Sequence, residues 1–378
     1  MHPHRCSSVL TSLVLTLLPL LTTALPAWSQ SRGTNYIHNI RGTVVTGRFL
    51  IRPDRAYEGA VLSTEHQIRL EGNSWVTLEC SNGGSHALDT GTYAVSSYCN
   101  TPNSRRPGAL NPSRDPFDTA LPYVISPRNT ALLTTDRLTL RWHPVPNATQ
   151  YQVTITGPGV DWTTTVTQPE VTYSGAATFR PDYRYSVVIT ANSGPSSVTG
   201  SSIGFTVLPP EEVSRVSRQV NQVKTSHLQP DVEAIALALV YGGYEHSERD
   251  RHSYALNHLA IDSLQQRIDA GTSNSQIYLL QADTYLTIGL PLAARERYLT
   301  ALALAEASNL LEPQAESHVG LGFVAAGQTE YSDAIFHLTT AQAIYQDLGD
   351  LAQVEVLKAQ IEQLSDQVPQ ASTPEAMP

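Results

Sequence analysis

Three histidines and three acidic residues lie close together in the C-terminal half of the chain and have the side-chain types that bind metal ions. They are His246, His252, His258, Glu245, Glu248 and Asp250. Successive histidines are six residues apart, which does not place their imidazoles on one face of a helix. We interpret the group as a solvated loop and helix end, and we predict no metal site and no cofactor.

A second group with chemical potential is Asp89-Thr90-Gly91, the tripeptide that carries the reactive carboxylate of aspartic proteases. Those enzymes need two such carboxylates that share one proton, and the sequence contains one copy. A glycine turn before the next strand explains the tripeptide without a catalytic role. The sequence also lacks a Gly-x-Ser-x-Gly elbow, a glycine-rich phosphate loop and a Cys–His nucleophile pair. The sequence therefore predicts a protein that is not an enzyme.

Residues 1–29 have the pattern of a signal peptide. Arg5 precedes an apolar run from Val9 to Leu25, and Ala27 to Ser29 offer small residues at the spacing of a cleavage site. The run is too short and too interrupted by proline for a membrane span. We expect an exported bacterial protein, periplasmic or extracellular, that does not span the membrane after the signal is removed.

Two cysteines would remain in that exported chain. Removal of the signal takes away Cys6 and leaves Cys80 and Cys99 in an oxidising compartment. We predict that they form a disulfide, which closes a loop of about 20 residues and stabilises the fold by roughly 3 kcal/mol.

Charge divides the chain into two parts. Residues 31–210 carry 14 Arg, no Lys and 12 acidic residues, whereas residues 211–366 carry 9 basic and 21 acidic residues. The acidic second part disfavours nucleic acid and anionic membranes as partners.

Short β-type segments punctuated by glycine fill residues 31–100. In "WVTLEC", Val76, Leu78 and Cys80 share one face, the period of two that a half-buried strand requires. The stretch "YEGAVLSTEHQIRLEGNSWVTLECSNGGSHALDTGTY" resembles the small all-β domain of the FecR type. Residues 101–122 contain five prolines and read as an extended linker.

Residues 123–208 predict a β-sandwich. Leu138, Leu140 and Trp142 share one face of a strand, and prolines separate it from the alternation that begins at Tyr151. The segment resembles a fibronectin type III domain. That resemblance implies that Trp142 fills the core and that the hydroxyl of Tyr185 holds a crossing loop by a backbone hydrogen bond.

Helical spacing begins after Pro209. Tyr278-x2-Gln281-Ala282-x2-Tyr285 and a second copy 40 residues later resemble tetratricopeptide repeats, so residues 211–366 predict an all-α helical array. The 40-residue offset predicts long second helices and a longer loop at "SNLLEPQ". Residues 367–378 read as a disordered tail.

The repeat resemblance implies a concave face that is lined by the first helix of each pair and binds peptides. The side chains that the resemblance places on this face are Gln276, Asp283, Thr287, Glu316 and Phe323. A face that is merely solvated, or covered by the chain's own linker, is the alternative.

The order of domains resembles exported multi-domain proteins of cyanobacteria. We interpret the chain as a non-enzymatic adaptor or scaffold that binds a protein or peptide through its acidic helical domain. The alternative is a cell-envelope or glycan-binding protein, in which the β-modules bind polysaccharide and the repeats self-associate. Trp75 and Trp162 are the candidate sugar-binding aromatics outside the predicted core.

Overall fold

The computed structural model has β-sheets in the N-terminal part of the chain and α-helices in the C-terminal part, which is the predicted order. It describes residues 35–47, 53–57, 59–62, 65–80, 85–99, 121–134, 138–193, 203–242 and 255–368. Outside these residues lie the predicted signal peptide (1–29), most of the predicted linker (101–122) and nearly all of the predicted disordered tail (367–378). His246 and His252 also lie outside them.

The first domain is one antiparallel sheet built around two long strands. Their apolar side chains alternate between buried and more exposed positions, because successive residues of a strand point to opposite faces. The sheet has, within the described residues, the strands β1 (Asn35–Gly47), β2 (Asp54–Arg55), β3 (Val61–Leu62), β4 (Gln67–Glu79), β5 (Ser85–Leu88) and β6 (Gly91–Ala94). β1 and β4 lie side by side, and the shorter strands extend the sheet from them.

A disulfide closes this first domain. Cys80 follows β4 directly, Cys99 follows a short 3₁₀ helix (Val95–Ser97), and the two Cα atoms are 5.1 Å apart. Both cysteines are buried in the domain's core beside Val95 and Leu78. The structure thus contains the predicted Cys80–Cys99 bond.

The second domain consists of two sheets that enclose one hydrophobic core. One sheet has the order β11-β10-β13-β14-β8, in which β14 and β8 are parallel, and the other has the order β12-β9-β7. The strands are β7 (Val124–Ser126), β8 (Thr130–Leu132), β9 (Thr139–Trp142), β10 (Tyr151–Gly157), β11 (Val160–Val166), β12 (Glu170–Thr172), β13 (Arg184–Ala191) and β14 (Gly204–Val207).

Large rings fill the space between these two sheets. Trp142 is 2% exposed and meets the edge of Tyr151 at a centroid distance of 5.3 Å. The ring of Tyr185 packs between Phe179 and Phe205, and its hydroxyl accepts a hydrogen bond of 2.7 Å from the backbone N–H of Arg180. Core and loop are therefore joined by one side chain, as an amphipathic tyrosine allows.

The third domain is helical. Consecutive helices are joined mostly by short connections and pack against each other, which is the arrangement of helical hairpins. In the described part of the chain they are α1 (Pro210–Thr225), α2 (Pro230–Gly242), α3 (Asn257–Asp269), α4 (Ser275–Thr287), α5 (Pro291–Ala307), α6 (Leu311–Gly327), α7 (Tyr331–Leu348) and α8 (Leu351–Ser365). None of these helices is long and apolar enough to cross a membrane.

Two helix pairs, α4–α5 and α6–α7, repeat with a shift of 40 residues. α4 ends at Thr287 and α6 at Gly327, and α5 begins at Pro291 where α7 begins at Tyr331. Small residues permit the close packing: a Cβ at Gly322 would lie 2.7 Å from the side chain of Leu338.

The two pairs differ at the start of α6. This helix begins at Leu311, one turn before the position that matches the start of α4 at Ser275. The prediction of a longer loop at "SNLLEPQ" was therefore wrong, because the additional residues Leu311–Gln314 are helical. This extra turn is where the first domain contacts the helices.

Candidate functional site

The helices α2, α4 and α6 contact one another and form a layer against which the first domain packs. We call the helical side of this contact the docking face. Its residues are Val232, Ile235, Asn274, Gln276, Leu311, Glu312 and Glu316. We call the stretch of the first domain that contacts it, residues 53–62, the docking segment; Glu58 within it lies outside the described residues.

The docking segment pairs with β1 at both of its ends and turns at Gly59, where the N–H of Ala60 donates to the carbonyl of Tyr57 at 3.1 Å. β2 pairs with β1 at Thr46 and Val45, and β3 pairs with the other end of β1 at Tyr36 and Asn35. Between them, the backbone N–H of Gly59 donates to the carbonyl of Ile37 at 2.9 Å. The segment therefore presents its side chains from an edge of the sheet.

Asp54 binds the first turn of α6. One carboxylate oxygen accepts from the N–H of Leu311 at 3.1 Å, and the other accepts from the N–H of Glu312 at 2.6 Å. Leu310 stands at the N-cap of α6 and offers no capping oxygen, whereas Asn274 caps α4 by accepting from Gln276. The first domain thus supplies the cap that the sequence of α6 lacks.

Two further ionisable groups surround Asp54. His66, which is 2% exposed, places Nε2 2.8 Å from a carboxylate oxygen of Glu312. Burial, with a smaller contribution from the charge of Glu312, raises the pKa of Asp54 to about 6 despite its two backbone hydrogen bonds. This interface therefore contains a carboxyl that titrates in mild acid.

Tyr57 inserts its hydroxyl among acceptors of the docking face. The hydroxyl donates to the side-chain oxygen of Gln276 at 3.0 Å. Burial, followed by the negative charges of Glu316 and Glu312, raises the pKa of Tyr57 well above its ordinary value. The site therefore holds a neutral phenol that acts as a donor.

Gly59 lies directly on α2. Its φ is +82°, and a Cβ at this position would lie 2.6 Å from Cδ1 of Ile235. Both the left-handed backbone and the close approach require glycine. Val61 of the same segment packs against the helical core nearby.

The structure brings together two of the five residues that the sequence placed on a peptide-binding face. Gln276 is bound to Tyr57, and Glu316 lies within electrostatic reach of the same hydroxyl. Asp283 instead accepts a hydrogen bond of 2.6 Å from Tyr298 of α5. Thr287 is exposed at the end of α4, and Phe323 packs against the core shared by α6, α7 and α8.

The other candidates of the sequence lie apart from this face. Asp89 is exposed in the turn between β5 and β6 and accepts a hydrogen bond from Tyr93 at 2.9 Å. Trp162 is half-buried against Tyr173 at a centroid distance of 5.1 Å. Trp75 is half-buried under the guanidinium of Arg41, 5.2 Å from the ring centroid.

The described residues contain no cluster of three histidine, cysteine or acidic side chains that could hold a metal ion. His258, the described member of the predicted histidine group, lies in the first turn of α3 and contacts the second domain. Its Nδ1 is 3.1 Å from the hydroxyl oxygen of Thr130. Burial lowers the pKa of His258 to about 4, so this histidine is not the solvated group that the sequence suggested.

The second domain also docks on the helices, at the C-terminal end of α4. Arg128, which is 4% exposed, donates from Nε to the carbonyl of Ile288 at 2.7 Å and from an Nη to the hydroxyl of Tyr123 at 3.0 Å. That hydroxyl donates in turn to the carbonyl of Gly289 at 2.6 Å. The arrangement places a cation at the negative end of a helix.

A short backbone contact completes this second interface. The N–H of Ala131 in β8 donates to the carbonyl of Ala255 at 2.8 Å, and the side-chain amide of Asn257 donates to the carbonyl of Asn129 at 3.0 Å. Residues on both sides thus satisfy backbone groups that would otherwise be buried without partners.

Sequence reasoning missed Asp54, Tyr57 and Arg128, because each acts on a residue more than 150 positions away. One local signal was available for Asp54. "NLLE" at the start of α6 contains no oxygen-bearing residue at the cap position, whereas α4 begins after an asparagine. A helix start without its own cap leaves N–H groups that another partner can bind. The signal is not specific to α6, because α5 and α7 also begin without a side-chain cap.

Comparison of the chain with models of known protein families and with curated proteins finds no match to either.

Proposed function

We propose that the chain is an exported, non-enzymatic adaptor or scaffold that binds a protein or peptide through its acidic helical domain. We further propose that residues 31–100 form a FecR-like domain, residues 123–208 a fibronectin type III-like sandwich, and residues 211–366 a tetratricopeptide-like array. Export of the chain to the periplasm or the cell exterior is part of the same proposal.

One observation carries the binding proposal. The docking face holds a short polypeptide segment by a capped helix end, a buried hydroxyl and a glycine contact. These are three different means of recognising a chain, and they lie on α2, α4 and α6, the first helices of consecutive pairs. A face with this chemistry suits a peptide ligand.

The domain proposals rest on individual side chains. The buried Trp142 and the hydroxyl of Tyr185, bound to the backbone of Arg180, support the fibronectin-like assignment of the second domain. The 40-residue shift that relates α4–α5 to α6–α7 supports the repeat assignment of the third. The half-buried positions of Trp75 and Trp162 give less support to a sugar-binding role for the β-modules.

The test is affinity capture from periplasmic and envelope extracts, with the full chain as bait. The baits are the wild type, a variant with Glu316→Lys, and a variant with Trp75→Ala and Trp162→Ala. A protein that is retained by the wild type and the tryptophan variant but lost with Glu316→Lys is the expected result. Polysaccharide that is retained by the first two baits and lost with the tryptophan variant would contradict the adaptor proposal and favour glycan binding.

A further inference from the structure

We infer that the docking segment is an internal competitor for the partner, and that the partner binds through a segment of the same chemistry that turns at its glycine. That chemistry is a carboxylate three residues before a tyrosine, with a glycine two residues after the tyrosine, as in Asp54, Tyr57 and Gly59. The inference rests on the proposed function and names the kind of partner that the docking face fits.

The carboxylate is recognised by the free end of α6. Two backbone N–H groups, those of Leu311 and Glu312, converge on Asp54, and the positive end of the helix dipole favours an anion there. The extra turn that carries these groups is absent from the start of α4. An incoming aspartate or glutamate can replace Asp54 at this end, and an uncharged residue without an acceptor cannot.

The tyrosine position selects a neutral hydrogen-bond donor. The hydroxyl of Tyr57 faces the side-chain oxygen of Gln276, with Glu316 and Glu312 nearby. An acidic surrounding of this kind repels an anion, so a phosphorylated tyrosine or a second carboxylate is excluded. A phenylalanine at this position occupies the space of the tyrosine ring but does not donate a hydrogen bond to the side-chain oxygen of Gln276.

The glycine position is fixed by contact with α2. A side chain at Gly59 would collide with Ile235 and would adopt a strained left-handed backbone. A partner segment therefore needs glycine, or a chain break, at the equivalent place. Arg55 in the same segment is exposed and carries no such restriction.

The geometry of the docking segment also sets how a partner competes. Because the segment pairs with β1 at both ends and turns at Gly59, β1 holds its recognised groups in place. A free peptide must adopt this turn when it binds. The first domain is covalently joined to the rest of the chain, so the docking segment is present at an effective concentration on the order of millimolar. A free partner meets this competition until the segment is displaced.

The experiment uses a fluorescein-labelled synthetic peptide with the sequence of residues 53–62, "PDRAYEGAVL". Its binding to the full chain is measured by fluorescence anisotropy. The proteins are the wild type, a variant with Asp54→Ala and Tyr57→Ala, which vacates the docking face, and the same variant with Gln276→Ala added. The near-ultraviolet circular dichroism and the Cys80–Cys99 disulfide of each variant are checked first.

We expect the vacated variant to bind the peptide at least about tenfold more tightly than the wild type, because the internal competitor is gone. Adding Gln276→Ala, or replacing the peptide's aspartate by alanine or its glycine by valine, should reduce that binding. The matched control peptide, with its arginine replaced by alanine, should bind as the original does.

Three results would overturn the inference. One is equal binding of the peptide to the wild type and to a folded vacated variant, and a second is equal binding of the peptides with and without the aspartate. A third is a wild-type dimer in light scattering that dissociates in the vacated variant, because the occupant is then the segment of a second copy. The proposed function survives these results if the capture from extracts still yields a protein that the wild type retains and the Glu316→Lys variant does not.

If the vacated variant does not fold, Gly59→Val in the full chain replaces it. This change keeps Asp54 and Tyr57 but places a side chain against Ile235. A folded Gly59→Val chain with the affinity of the wild type for the peptide would count against the inference in the same way.

Discussion

The two β-domains dock on the helices through opposite charges at opposite helix ends. The first domain places Asp54 at the N-terminus of α6, where two N–H groups bind its carboxylate. The second domain places Arg128 beyond the C-terminus of α4, where the carbonyl of Ile288 accepts from its guanidinium. Both charges complement the dipole of the helix that they contact.

The difference between these interfaces is their capacity to change. Arg128 keeps its charge at any physiological pH and is enclosed by Tyr123, Val124 and Ile288. Asp54 lies beside His66 and Glu312 and has a pKa raised to about 6. We therefore expect attachment of the first domain to be conditional on pH near neutrality, whereas Arg128 holds the second domain throughout that range.

The largest expected effect is that of Arg128→Met. The change removes hydrogen bonds from Ile288 and Tyr123 and keeps most of the aliphatic volume. Since bonds to a charged group are stronger than neutral ones and the acceptors remain buried, we expect a loss of about 3–4 kcal/mol in the free energy of unfolding. Urea denaturation followed by circular dichroism measures it.

The matched control is Arg141→Met in the same domain. Arg141 forms an exposed ion pair with Glu170, with 64% of its side chain accessible, so a change below about 0.5 kcal/mol is expected. If the two variants lose similar stability, the enclosed guanidinium does not hold the second domain, and the contrast between the interfaces fails.

The pH dependence of the two interfaces should have opposite signs. The pKa of Asp54 is raised from 3.8 to about 6, so the docked state favours its protonated form. Its contribution is fully present below about pH 4 and is lost as the pH rises through 6.

His258, at the second interface, gives the reverse dependence. Burial lowers its pKa from 6.5 to about 4, so its contribution is present above pH 6.5 and is lost as the pH falls toward 4. Across these pH ranges we expect the contribution of each interface to the free energy of unfolding to change by roughly 3 kcal/mol. Hydrogen exchange of the amides of Leu311 and Ala131 reports the two interfaces separately.

The controls for this comparison are Asp54→Asn and His258→Gln. The first should flatten the dependence at Leu311 alone, and the second should flatten the dependence at Ala131 alone. Parallel responses of both amides to pH in the wild type would show that the interfaces open together and would contradict the distinction between them.

A smaller effect is expected for Asp54→Ala at constant pH. The change removes the cap of α6, which typically costs about 1 kcal/mol, and should increase exchange of the amides of Leu311 and Glu312. The matched control is Asp350→Ala, which removes the local cap that α8 receives at Gln353. Asp350→Ala should increase amide exchange in α8 and leave the peptide affinity of the docking face unchanged. If Asp350→Ala and Asp54→Ala change that affinity equally, the cap from Asp54 has no specific role at the docking face.

Much of the architecture could be predicted because it depends on local periodicity. The alternation around Trp142 and Tyr151 predicts two strands, which lie in the two facing sheets, and the repeated small residues at Ala282 and Gly322 predict packed helices. Both patterns are set by neighbours a few residues apart. The disulfide was also predictable, because only Cys80 and Cys99 follow the predicted signal peptide and two cysteines have one way to pair.

The docking face could be located from the sequence only in part. The repeat resemblance placed Gln276 and Glu316 on one face, and in the structure both lie near the hydroxyl of Tyr57. The resemblance could not indicate that Tyr57 lies there, since contacts between domains leave no periodic trace. It also placed Asp283 and Phe323 on that face, whereas in the structure Asp283 accepts from Tyr298 and Phe323 packs against the core shared by α6, α7 and α8.

The smallest effect, and the sharpest test of the docking face, is expected for Tyr57→Phe. The change removes one hydroxyl and leaves the ring, so only the hydrogen bond to Gln276 is lost. A neutral hydrogen bond contributes about 1 kcal/mol or less, and the acceptor can recruit water if the interface opens. Peptide binding to the full chain should therefore tighten slightly, by less than about fivefold, with the free energy of global unfolding unchanged.

Faster amide exchange at Ala131 in the Tyr57→Phe variant would mean that the second domain also loosens and that the two interfaces are coupled. In that case the helical body transmits docking of one domain to the other, and the conditional attachment would extend to both.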